Sequence, residues 1–210
     1  QKKKAGKKEE AQEELEALKN QMNADQEKAR RGLNASFEHL NLEAYEGLLA
    51  DLRPPFEAIE SIASILRQKR RSYPLLLSDS LLAQKMVVDS FALAIAGGNL
   101  QGFEHTRVLR LKLEALKDYF SLVGYFELRM REIIELIESD DVNKSLKTII
   151  VIDFDDVKDE LEKIRINPFL LGYFLRMFKD LKTISFIMST SRRVTIEDDS
   201  FDRYFSLVEI

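Results

Sequence analysis

Asp153 and Asp155 alternate at the end of an apolar run, Ile149-Ile150-Val151-Ile152-Asp153-Phe154-Asp155-Asp156. An apolar strand followed by two alternating acids is a candidate site for chemistry. The plainer assignment is helix capping, in which Asp155 or Asp156 accepts from first-turn amides and stabilises the helix by about 1 kcal/mol.

The same eight residues resemble the nucleophile motif of haloacid-dehalogenase-type phosphatases, and the resemblance implies that the first Asp attacks phosphate while the second acts as acid. That resemblance implies a Thr or Ser near the second acid, a lysine and a later acidic pair on a parallel sheet. The chain beyond Asp156 reads mostly helical, so the cap is the preferred reading. A second acidic constellation, Asp198, Ser200, Asp202, Tyr204, Ser206 and Glu209, falls at positions 1, 3, 5, 7, 9 and 12 of a calcium loop. Position 6, where the turn needs glycine, is Arg203, and a solvated acidic turn is expected instead.

The basic cluster Arg67, Lys69, Arg70 and Arg71, with Arg192 and Arg193 elsewhere, could meet nucleic acid or anionic lipid. Arg67 to Arg71 occupy the last turn of a helical pattern, where cations favour the dipole, and no aromatic residues interleave to stack on bases. His39 and His105 are isolated from one another in sequence, and surface histidine is the expectation for both. No nucleophile elbow, P-loop or dinucleotide fingerprint occurs, and Gly97-Gly98 with Gly102 reads as a helix stop and loop.

The elements carrying these residues read as helices for most of the chain. Residues 1–31 form a charged helical or flexible arm, with five lysines among the first eight residues and a thin seam of Leu15, Leu18 and Met22. Asn34 or Ser36 can cap a helix carrying Phe37, Leu40, Tyr45, Leu48, Leu49 and Leu52, ended by Pro54 and Pro55. Phe56, Ile59, Ile62, Ala63 and Leu66 share a second helical face, stopped at Tyr73-Pro74. Ser78 or Asp79 caps a third helix through Ile95, closed by Gly97 and Gly98. From Phe103 to Glu138, Leu109, Leu116, Val123, Met130 and Ile137 recur every seven residues, which predicts one central helix of roughly 54 Å.

Later segments are more mixed. Thr148 to Ile152 suits a short buried strand or a helix running into Asp153, and periodicity does not separate the two. Asn167-Pro168 opens a helix with Leu170, Phe174, Phe178, Leu181, Ile184 and Met188 on one face, and the tail beyond Val194 alternates like a terminal hairpin. The surplus of aromatic residues, including Tyr119, Phe120, Tyr125, Tyr173 and Phe174, suggests core with some contact surface.

These readings predict a mainly α fold: a helical bundle around one long central helix, with a small C-terminal β element. A single helical domain is expected over 32–210, with strands near 148–153, 193–197 and 204–209. Of 210 residues, 45% are hydrophobic and 32% charged, and there is no cysteine, which excludes disulfides and thiolate chemistry. A formal net charge of -4 disfavours nucleic acid, and no apolar run is long enough to span a membrane.

No catalytic, cofactor-binding or metal residue is assigned, and no enzyme activity is expected. Candidate protein contacts are Leu15, Leu18, Met22, Arg67, Lys69, Arg70 and Arg71. The expected role is a structural or assembly subunit, self-associating or docking to other subunits in a filament or cell-envelope assembly. A cytoplasmic adaptor or regulatory module binding a helical partner is the alternative, and a phosphatase-like enzyme using Asp153 and Asp155 ranks behind both. In overall profile, a cysteine-free helical chain without an initiator Met, Lys/Glu-rich at its start and Tyr/Phe-rich in its body, is similar to the exported proteins that sheathe spirochaete flagellar filaments. That resemblance implies a periplasmic component that stiffens or curves a filament, and export is favoured over a cytoplasmic location.

Overall fold

Residues Thr148 to Ile152 are all buried, and the β-branched run is extended as part of a central strand. The computed structural model describes residues 31–49, 56–68, 72–112, 123–139, 146–153, 184–191 and 205–210. Six strands build one sheet: β1 (Phe37–His39), β2 (Tyr73–Leu77), β3 (Thr106–Leu111), β4 (Lys147–Asp153), β5 (Ile184–Thr190) and β6 (Phe205–Glu209). Their order is β1-β3-β4-β5-β2-β6. β2 to β6 run parallel, and β1 pairs antiparallel with β3 at one edge.

The helices are α1 (Leu40–Tyr45), α2 (Phe56–Arg67), α3 (Leu81–Ala96) and α4 (Val123–Ser139), and residues 31–36 are also helical. Strand alternation sends Leu76, Val108, Ile149, Val151, Ile187 and Val208 into a common core with Ile59, Ile62 and Ala63 of α2 and Val88, Phe91 and Ala92 of α3. Each such fully buried aliphatic side chain stabilises the fold by about 1.5–3 kcal/mol. Ile150, Ile152, Phe186 and Met188 are equally buried and alternate with these residues, so they face the opposite side of the sheet. There Arg107 of β3 donates to the Ile137 carbonyl of α4 at 3.2 Å, and Arg129 of α4 donates to the Ser36 hydroxyl at 3.1 Å.

The chain is therefore α/β, and the mainly α bundle predicted from sequence is incorrect. The central rod does not form as one helix: Thr106–Leu111 is β3, helix begins again at Val123, and residues 113–122 lie outside the described residues. Met130 and Ile137 are buried on one face of α4, but Leu109 is buried on β3, so the seven-residue register does not run through it as one helix. Tyr73-Pro74 opens β2 where a helix stop was expected. Pro74 is tolerated because the β2–β5 ladder begins only at Leu75. Phe37 lies in β1, and Ile184 and Met188 lie in β5, each having been read as a helical face. The tail strand β6 pairs parallel with β2, so the expected terminal hairpin does not form there. The arm 1–31 falls outside the described residues except for Arg31, as does the predicted strand at 193–197.

Local rules explain the ends of α3. The Ser80 hydroxyl accepts from the Ala83 amide at 3.2 Å, one step later than the caps expected at Ser78 or Asp79. At the other end Gly98 adopts φ +68°, with its amide on Ile95 and that of Asn99 on Ala94. This paired 5→2 and 6→1 bonding is why a glycine stands there.

Candidate functional site

The strand order marks one position as special. From β2 the chain crosses to β3, returns through β4 and β5, and then passes over β2 to β6. Open parallel sheets bind ligands outside the carboxyl ends of their strands, at the point where the winding reverses. Here that point is the end of β2 and the turn Ser78-Asp79-Ser80 into α3, flanked by Thr190 at the end of β5 and Asp153 at the end of β4.

Strand, short turn, helix is also the layout of a phosphate-binding P-loop, written Gly-x-x-x-x-Gly-Lys-Ser/Thr. Counted from the first residue after β2, this frame places Ser78, Ala83, Gln84 and Lys85 at the four defining positions. No glycine occurs between Gly47 and Gly97. In a P-loop, main-chain amides point at phosphate oxygens. In this chain the Ser80 amide donates to the Ser78 hydroxyl at 3.2 Å, and the Ala83 amide to the Ser80 hydroxyl at 3.2 Å. The Gln84 amide donates to the Ser80 carbonyl at 3.1 Å.

Gln84 completes the closure. Its side-chain amide nitrogen donates to the Ser78 carbonyl at 2.8 Å and to the Thr190 carbonyl at 2.8 Å, from a position only 2% exposed. The Ser78 amide also donates to Thr190, at 3.2 Å. A neutral carboxamide thus ties β2, β5 and α3 together where a P-loop lysine would reach for phosphate. The P-loop pattern is therefore not met: the Ser80, Ala83 and Gln84 amides are bonded within the chain, and the lysine position carries no charge.

A cavity of about 260 Å³ opens beside this closure, between α3 and the ends of β3, β4 and β5. Gln84, Lys85 and Val88 line it from the helix, and Arg110, Val151 and Asp153 from the sheet. Arg110 is committed elsewhere: its guanidinium meets Asp89 at 2.6 Å and Glu38 at 3.3 Å. Beyond this cluster, on α1, burial holds the Glu43 carboxyl above its usual range. The Glu38 and Asp89 carboxylates push it the same way, against Arg110 and Lys85.

The fold resembles that of Hsp104. A segment of an Hsp104 chain captured in a closed state with ATPγS and FITC-casein matches 85% of this chain at 18% identity, with a TM-score of 0.70. S. cerevisiae Hsp104 with ADP, and the same protein with casein in an extended conformation, each match 85% at 21% identity, with TM-scores of 0.65 and 0.60. The chain spans 31%, 25% and 30% of those three chains, respectively. No protein-family model matches the sequence, and neither does any curated protein.

These neighbours overturn the likeness to flagellar sheath proteins, and with it the filament subunit. That likeness rested on a helical profile, and the profile dissolves once half of its apolar stripes are strands. Among the sequence-derived candidates, Asp153 reaches the cavity wall, while Asp155 lies outside the described residues. Arg67 is engaged within the chain. It donates to the Gln101 carbonyl at 3.1 and 2.8 Å, pairs with Glu60 at 3.7 Å, and stacks over Phe103 at 5.3 Å. Lys69, Arg70, Arg71, Leu15, Leu18 and Met22 lie outside the described residues, as do the first four calcium-loop positions. Ser206 and Glu209 are extended in β6, a conformation unsuited to wrapping an ion.

Among the described residues no group of three or more His, Asp or Glu is placed to hold a metal, and no helix is long and apolar enough to cross a membrane. Sequence reasoning missed Gln84, Lys85 and Arg110. The available signal was the apolar triplet Leu75 to Leu77 running into Ser-Asp-Ser, which marks a strand–turn–helix once Pro74 is allowed to begin a strand.

Proposed function

We propose that the chain is a protein-binding, chaperone-like domain on an ATPase-type fold that neither binds nor hydrolyses nucleoside triphosphate. The observation that carries this reading is the Gln84 carboxamide bridging Ser78 and Thr190, which fills the phosphate position with a neutral, hydrogen-bonded group. The likeness to Hsp104 chains captured with casein supports a protein client. In this role the sheet holds a fixed shape that nucleotide does not alter.

The test is fluorescence anisotropy of FITC-casein titrated with the full chain, alone and with magnesium and ATPγS or ADP, alongside a phosphate-release assay with ATP. The expected result is saturable casein binding, the same in all three conditions, with no phosphate release. Magnesium-dependent ATP hydrolysis that is lost in Asp153→Asn would overturn the closed nucleotide site. Absence of casein binding would overturn the chaperone-like role.

A further inference from the structure

At β6 the sheet ends on open hydrogen-bonding groups. In the β2–β6 ladder the Ile210 amide donates to the Leu77 carbonyl at 3.2 Å, and Leu77 stands opposite Glu209. Parallel pairing turns alternate residues toward the same neighbour, so Ser206, Val208 and Ile210 face β2 while Leu207 and Glu209 turn their amides and carbonyls outward. Among the described residues nothing pairs with that outer side. Strand edges of this kind are templates for a further strand, and lysine, proline or shortness usually blunts them. β1, at the opposite edge, has three residues, whereas β6 has five, Phe-Ser-Leu-Val-Glu, with neither lysine nor proline.

The side chains restrict what fits there. On one face Met188, Leu75 and Leu207 stand in register across three strands, at 0%, 7% and 54% exposure. That apolar row ends uncovered at Leu207. Two residues further along each strand, Thr190, Leu77 and Glu209 form the next row, which ends on an exposed carboxylate. A seventh strand would complete both rows by setting an apolar side chain beside Leu207 and, two residues away, a basic one beside Glu209. A folded second copy suits the edge poorly: five residues span about 17 Å, whereas stable dimers bury roughly 1,200–2,000 Å². Extended peptides are held by main-chain bonds along such an edge, with alternate side chains giving preference.

We propose that β6 captures extended peptide segments as an added strand, preferring those with an apolar and a basic residue two positions apart. The proposal rests on the protein-binding reading above and names its surface and its class of client. Main-chain pairing supplies most of the affinity, which lets one edge serve unfolded clients of varied sequence.

The experiment is fluorescence anisotropy of the fluorescein-labelled peptide Thr-Val-Thr-Val-Thr-Lys-Thr-Val titrated with the full chain. Saturable binding is expected. N-methylation of one alternate set of the peptide's amides should abolish it, and N-methylation of the other set, which points away from β6, should leave it unchanged. Leu207→Pro removes an outward amide that the sheet does not use, so the urea midpoint should hold while binding weakens about tenfold, as loss of one hydrogen bond implies. Leu207→Lys keeps the backbone amide but sets a cation on the edge, and should weaken binding by a similar factor. Glu209→Gln should weaken binding about threefold, the size of an exposed ion pair, and leave a peptide with glutamine in place of lysine unaffected. Failure of the peptide to bind would overturn the proposal, as would equal effects of the two methylation sets or wild-type affinity in Leu207→Lys. A dimer seen by sedimentation and dissociated by Leu207→Lys would assign the edge to a second copy and overturn it too. Casein held equally by wild type and Leu207→Lys would overturn the edge and spare the protein-binding reading, whereas casein ignored by the wild type would overturn that reading itself.

Discussion

The β2–α3 turn and the adjoining cavity share a side chain but follow opposite rules. At the turn, the amides of Ser80, Ala83 and Gln84 and the carbonyls of Ser78 and Thr190 are all matched within the chain. In the cavity, charged side chains of both signs border an apolar floor. The turn's donors face inward, while the space next to it keeps its polar borders. The difference teaches that a strand–turn–helix at the carboxyl end of a parallel sheet can be closed by hydrogen bonds within the chain while an open cavity persists beside it.

Breaking the closed side should cost most. Gln84→Ala removes two buried hydrogen bonds and leaves the Ser78 carbonyl with fewer donors, so a loss of about 2–4 kcal/mol is expected in urea denaturation. A loss below about 0.5 kcal/mol, the range of ordinary surface changes, would mean that the turn does not depend on this bridge. Next in size is Asp89→Ala. Asp89 is 6% exposed and holds Arg110 at 2.6 Å, so its removal leaves a largely desolvated cation with Glu38 as its remaining partner. The expected cost is about 1–3 kcal/mol, and the freed guanidinium should let the cavity take inorganic phosphate, read by calorimetry. Ser80→Ala tests the turn more gently. Loss of the cap on Ala83 should cost about 1 kcal/mol without creating affinity for ATP, because the Gln84 side chain still bridges Ser78 and Thr190.

The closed side also explains what the sequence could and could not reveal. The helix through Ile59, Ile62 and Ala63 and the glycine stop at Gly98 are local properties and legible from composition and spacing, whereas the β-branched run Ile149 to Ile152 admits a strand without deciding between strand and helix. β2 and β5 were not legible because parallel strands buried on both faces lose the apolar–polar alternation that marks a strand. Ile184 and Met188 then look like one helical face, and Pro74 looks like a helix stop. Gln84 is an ordinary helix residue until strand order brings Thr190, distant in sequence, against it. Asp153 was found because a strand-end acid announces itself in a short motif, but its neighbours Lys85 and Arg110 arrive only through the fold.

The smallest effect expected is a pH dependence at the edge of the Arg110 cluster. Burial holds the Glu43 carboxyl above its ordinary value of 4.5, with Glu38 and Asp89 adding to the rise and Arg110 and Lys85 opposing it. A carboxyl whose pKa rises on folding is better tolerated protonated, so its favourable contribution is complete below about pH 4.5 and is lost as pH climbs through the raised value. At neutral pH the ionised Glu43 therefore weakens the fold slightly, and Glu43→Gln, which cannot ionise, removes that penalty. Urea midpoints of both proteins across this range should show the variant more stable at neutral pH and the advantage fading on acidification. An advantage that stays constant with pH would assign the gain to packing of the new side chain and leave the charge cluster without a role in it.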